Sequence, residues 1–191
     1  MFENLQRDIE KYEEHGRWYA NPGFWIVGTY RFGMWANSLP SKFQRIPMWI
    51  LYRLLKLAFR HYNIHLWAGN SGTRIGAGLK LIHPTNVMIG SGVEIGDNCL
   101  IFHDVTLGTG QIPGTPRIGN NVDIYPGARI LGGVTIGDRS MVGANCVVTR
   151  DVPADSIILT PPGRVIPRTL SPVAREADQA AAQDVMNELT K

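Results

Sequence analysis

Counting by sixes from Ile118 lands on Ile124, Ile130, Ile136, Val142 and Val148, a branched aliphatic at every step. Four residues after each stand Val122, Ala128, Val134, Ser140, Cys146 and Val152, all small or β-branched. The same frame runs upstream through Ile75, Leu81, Ile89, Ile95, Ile101 and Leu107. A period of six with one aliphatic and one small residue per unit predicts a parallel β-helix over residues 67–170, in which each hexad is a short strand and a turn. Three hexads close one triangular coil, with the aliphatics stacked inside. Two intervals break the count. Leu81 to Ile89 holds two residues too many, and Leu107 to Ile118 holds five too many. The second excess falls in GTGQIPGTPR, a Gly/Pro-rich string that must loop out.

The flanks follow a different pattern. Residues 1–66 read as a helical region with segments at Phe2 to Glu14, Gly23 to Leu39 and Pro47 to Tyr62. Pro40 fits a helix stop. Arg53, Lys56 and Arg60 share one face of the third segment, three and four residues apart. Residues 171–191 read as a polar, alanine-rich helical tail, with Ser171 as cap and Pro172 at its first position.

Composition narrows the class. The 191 residues include 21 glycines and 12 prolines, which a fold with a turn every few residues requires. Hydrophobic residues make up 44% and charged residues 18%, so the chain can build a core and is neither a disordered polyampholyte nor a coiled coil. A net charge of +3 is too small to imply nucleic acid. The two cysteines, Cys99 and Cys146, occupy inward positions on different faces of the coil, where small buried side chains are expected rather than a disulfide. The first residues are charged throughout, unlike a signal peptide, and no apolar run is long enough for a membrane span. A reducing, cytoplasmic setting fits.

The frame also places candidate chemistry. His83 stands two residues past Leu81 and His103 two past Ile101. They are twenty residues apart, one coil plus the two-residue excess, so their backbones should sit one strand spacing apart, about 4.8 Å. The next equivalents on this outward ladder are Pro126 and Ala144. The lower half is titratable, and the upper half is small enough to leave room for an extended ligand. The insertion at 108–117 emerges one hexad past His103 and is expected to overhang this groove. An imidazole is the natural base for activating a hydroxyl near neutral pH. No further metal ligand is evident on this face, and no metal is expected.

The stretch from IGAGLKLIHPTNVMIG through VGANCVVTRDVP resembles the hexapeptide-repeat acyltransferases, within them the serine acetyltransferase branch, and especially its short exopolysaccharide (colanic-acid-type) O-acetylating relatives. The resemblance implies a left-handed parallel β-helix, a homotrimer with sites between protomers, and acetyl-CoA as donor. His83 matches the family's catalytic histidine, and Pro126 and Ala144 match positions lining the pantetheine arm. Gly108 and Arg164 match other parts of the coenzyme A site. Charged positions that hold serine in the family correspond here to Ile82, Gly114 and Thr115, and the carboxylate that orients the histidine corresponds to Ala68.

Those departures leave a zwitterion's charges unpaired, which points to a sugar hydroxyl of an exopolysaccharide or capsule as acceptor. In that reading His83 is the general base for direct transfer, His103 positions the acceptor or stabilises charge, and Asp104 is a weak candidate for orienting His83. The alternatives are a serine O-acetyltransferase of cysteine synthesis and a non-catalytic β-helix used for binding or assembly. The basic, aromatic region 1–66 is also compatible with peripheral contact at the inner face of the plasma membrane, against a plain trimer-stabilising helical cap.

Overall fold

The computed structural model describes residues 2–14, 16–66 and 72–162, together with Gln183 and Asn187. The chain divides into a compact unit, Met1–Thr160, and a second unit, Pro161–Lys191. Gln183 and Asn187 are helical, but the rest of the tail expected at 171–191 lies outside the described residues, as do Arg164 and Ala68.

The six-residue period becomes a parallel β-helix with short strands, almost all of two residues. One wall stacks β1 (Arg74–Ile75), β4 (Glu94–Ile95), β7 (Arg117–Ile118) and β10 (Thr135–Ile136). A second stacks β2 (Lys80–Leu81), β5 (Leu100–Ile101), β8 (Asp123–Ile124), β11 (Met141–Val142) and β13 (Ile157–Ile158). The third stacks β3 (Met88–Ile89), β6 (Thr106–Gly108), β9 (Arg129–Leu131) and β12 (Val147–Val148). Every pairing is parallel, consistent with the left-handed solenoid expected. Every aliphatic of the frame from Ile75 to Val148 is buried. One rung of the core reads Leu81, Ile101, Ile124 and Val142, joined in register through successive coils.

The corners need left-handed backbone, which Gly supplies freely and Asn or Asp tolerates. One corner column is Gly78, Asn98, Asn121, Arg139 and Asp155, all at positive φ. Arg139 is the costly member, and its guanidinium donates to both carboxylate oxygens of Asp155 at 2.6 and 2.7 Å. Another column is Asn86, Asp104, Gly127 and Asn145.

Three helices precede the coil: α1 (Phe2–Glu13), α2 (Pro22–Ser38) and α3 (Lys42–Ala58). Asn21 caps α2, accepting the Gly23 N–H at 2.9 Å, and Pro22 supplies the first turn. The third helix starts five residues before the expected Pro47. Pro47 is interior, where it has no N–H to give to the helix. Residues 60–62 form a separate 3₁₀ turn instead of extending α3.

α1 and α2 cover β2, the edge of its sheet, so that its backbone does not stay open. The Tyr12 hydroxyl accepts the Leu81 N–H at 2.8 Å. Gly23 comes so close that a Cβ there would meet the Leu81 carbonyl oxygen at 2.4 Å, so the approach requires glycine. A buried ion pair fixes both helices. Arg31 Nε donates to Asp8 at 3.0 Å, and the same guanidinium donates to the carbonyls of Ile75 and Gly76. Asp8 in turn accepts the Gly78 N–H at 2.8 Å.

Cys99 and Cys146 are free and buried. Cys99 donates to the Gly119 carbonyl at 3.1 Å and Cys146 to that of Ile158 at 3.5 Å. Burial pushes the Cys99 thiol up to about 11, so it serves as a small core side chain rather than a nucleophile. Among the described residues, no helix is long and apolar enough to cross a membrane.

Candidate active site

The site grows from the β2–β5–β8–β11 rung. Because Leu81, Ile101, Ile124 and Val142 are registered, the residues two places on form one outward column: His83, His103, Pro126 and Ala144. The imidazoles of His83 and His103 lie with ring centroids 6.4 Å apart and planes at 66°. The two rings are thus neighbours on one outward face, edge toward face.

The two-residue excess after Leu81 has a local consequence. His83 is exposed and adopts φ +48°, although it precedes a proline and belongs to neither corner column. A histidine in left-handed backbone is uncommon, and Pro84 restricts it further. Its carbonyl accepts the Thr85 N–H at 2.7 Å, which holds the turn. The insertion thus lifts His83 out of the regular wall, and such local strain is characteristic of functional positions.

His103 is more enclosed. Its Nδ1 is buried without a hydrogen-bond partner among the described residues. Beside it, the Phe102 and Tyr125 rings stack at 5.1 Å and 18°. The sequence reading missed this aromatic wall, although the two residues share the offset directly before the histidine column. A period-six count extended to that offset would have found it.

Asp104 does not orient His83. Its Oδ1 accepts from Asn86 Nδ2 at 2.5 Å and from Arg129 at 3.2 Å, and Arg129 also donates to the Asp104 carbonyl. The carboxylate and guanidinium tie the corner directly after His103 to β9. This link joins residues 25 apart in sequence and was legible only from the strand register.

Gly108 lies in β6, and a Cβ added there would meet nothing within 4 Å. Glycine is therefore not demanded by this chain's own packing, and the space it leaves is open to a ligand. The 109–116 insertion does not overhang the histidines. It leaves the coil at the far end of β6 and lies against the next corner, where Gly133 donates to the Ile112 carbonyl at 3.3 Å. Thr115 Oγ1 donates to the Gly92 carbonyl at 2.8 Å. The physical reason is the wall order: the β6 wall separates the corner after His103 from the corner where the loop departs. Among the described residues, no three His, Cys, Asp or Glu side chains gather as metal ligands.

The family model of the bacterial transferase hexapeptide (six repeats) matches residues 115–150. A serine acetyltransferase of Bacillus subtilis is 31% identical over 192 residues, covering 96% of this chain and 86% of that protein. One from Synechococcus elongatus is 38% identical over 154 residues, covering 78% of this chain. The chain spans 58% of that relative's length. The crystal structure of the Brucella abortus serine acetyltransferase in complex with coenzyme A superposes with a TM-score of 0.65 at 28% identity, covering 86% of this chain and 67% of that one. These findings correct the expected exopolysaccharide branch and its sugar-hydroxyl acceptor. The relatives found are serine acetyltransferases, the alternative reading of the sequence. Uncharged side chains at Ile82, Gly114 and Thr115 do not exclude serine, because backbone N–H and C=O groups also hold carboxylates and ammonium groups. A six-residue repeat that closes into coils, and a B. subtilis relative aligned over 96% of this chain and 86% of its own length, place this chain in the serine acetyltransferase family of hexapeptide-repeat acyltransferases.

Proposed function

We propose that this chain catalyses acetyl transfer from acetyl-CoA to the hydroxyl of serine, in one ternary complex without a covalent enzyme intermediate. The observation carrying this reading is the His83–His103 pair on adjacent coils, below the small column of Pro126 and Ala144. His83 takes the proton from the serine hydroxyl as that oxygen attacks the thioester carbonyl. A C–O bond forms and the C–S bond breaks. The imidazolium then returns its proton to the departing thiolate. His103 lies within reach of the same centre and stabilises the charge developing on the carbonyl oxygen or holds the acceptor. The pantetheine arm runs upward past Gly108, Pro126 and Ala144.

We place the site between protomers of a homotrimer, because the described coil leaves Val147, Ile157 and Leu159 exposed on its outer walls. The acetyl-CoA donor puts the reaction in the cytoplasm. Contact with the inner membrane face is no part of this chemistry, and its support is the outer face of α3.

The deciding experiment follows free thiol released from acetyl-CoA. Release that depends on L-serine, with O-acetylserine as product, is expected. Acetyl-CoA binding without any turnover would instead favour an assembly module. A substitution tests the donor path separately. Gly108→Val adds a side chain where the folded chain has open space, so thermal stability should hold. The KM for acetyl-CoA should rise about tenfold or more, as expected when bulk enters a ligand channel, while the serine KM moves little.

A further inference from the structure

We infer that the outer face of α3 is an interfacial surface that docks on an anionic lipid bilayer. Helical spacing gathers Phe43, Ile46, Ile50, Leu54 and Leu57 into one stripe along the full helix. Phe43 is 92% exposed, and the other four are 57–60% exposed. The helix packs on α2 and the following 3₁₀ turn through its other side, where Tyr52 is buried and meets Trp49 edge to face at 5.3 Å. Nothing among the described residues covers the stripe, and so long an apolar row on a helix marks a docking face.

Charge decides the occupant. α3 carries Lys42, Arg45, Arg53 and Lys56, Arg60 follows it, and no Asp or Glu occurs between Lys42 and Arg60. Lys42 and Arg53 are exposed and flank the apolar stripe on the same side, and Arg60 is exposed in the turn that follows. A second copy of α3, parallel or antiparallel, would bring this cationic flank no carboxylate, and an antiparallel copy would set it against itself. A bilayer supplies what is missing: acyl chains for the stripe and phosphates for the flank. The helix ends beside a cleft of about 530 Å³ whose lining includes Leu57 of the stripe and Arg53, Lys56 and Arg60. The helix cannot span a membrane, so it lies in the interface plane.

Co-sedimentation of the full chain with vesicles tests this. On phosphatidylcholine vesicles containing about 30 mol% phosphatidylglycerol, the bound fraction should exceed that on pure phosphatidylcholine about tenfold, and high salt should reverse the difference. I50Q/L54Q and K42E/R53E should each lose binding while retaining the wild-type far-UV spectrum and serine acetylation, since all four side chains are exposed on α3 and none belongs to the histidine column. Absence of binding to anionic vesicles would overturn the inference, as would undiminished binding by I50Q/L54Q. Sedimentation velocity identifies the rival occupant. If I50Q/L54Q lowers the oligomer mass of the lipid-free protein, and the wild type ignores vesicles, the stripe is a contact between copies.

Discussion

Replacing His83 by asparagine should lower kcat for serine acetylation about a hundred- to ten-thousandfold, the usual worth of a positioned general base. Asparagine is the informative choice because the residue sits at φ +48°, a conformation asparagine tolerates and alanine does not. The variant should therefore fold as the wild type, with the acetyl-CoA KM within about threefold, so the loss reports a transition-state interaction rather than binding. His103→Ala should cost activity comparably but differ in stability. It removes a ring whose Nδ1 is buried with no partner among the described residues, a burden of about 1–3 kcal/mol to the fold. The melting temperature should then hold or rise while turnover falls, the trade-off expected of a functional residue. Single-turnover thiol release and thermal melts, run side by side, measure both quantities. Near wild-type transfer by both variants would remove the histidine pair from the mechanism.

The second large effect concerns stability. Asp8→Ala should destabilise the chain by about 3–5 kcal/mol, because it strands the Arg31 guanidinium in the interior. Arg31 is 6% exposed and Asp8 fully buried, so water cannot take the place of either partner. For a chain of this size the melting temperature should fall by about 10 °C, read by circular dichroism. The double variant Asp8→Leu with Arg31→Met should recover only part of the loss. The pair also serves backbone: Asp8 accepts from Gly78, and Arg31 donates to the carbonyls of Ile75 and Gly76, which neither apolar side chain can satisfy. The consequence reaches the site, because α1 holds the edge strand β2 through Tyr12 and Leu81, two residues before His83. A loss of activity at temperatures where the coil is still folded would mark that coupling.

The histidine column was legible because two regularities compound. A strict hexad count fixes which residues face inward, and parallel stacking then makes residues one coil apart vertical neighbours. Helix ends were less legible. Pro47 reads as a start signal, yet the structure carries it inside α3, where packing on α2 outweighs one missing hydrogen bond. The acceptor was misread for a related reason. Ile82, Gly114 and Thr115 carry no side-chain charge, but backbone donors and acceptors, which every residue brings, also hold the two ends of a zwitterion.

The sequence alone determined the coil, its inward aliphatics, the two insertions and the twenty-residue offset that sets His83 over His103, because each follows from a period that neighbouring strands repeat. Tertiary structure decided the rest: the strained backbone of His83, the unpartnered Nδ1 of His103, the Asp104–Arg129 tie and the Asp8–Arg31 pair under the helices. These depend on contacts between residues with no common period, and no local pattern in the chain encodes which distant group will fill a corner or approach an edge.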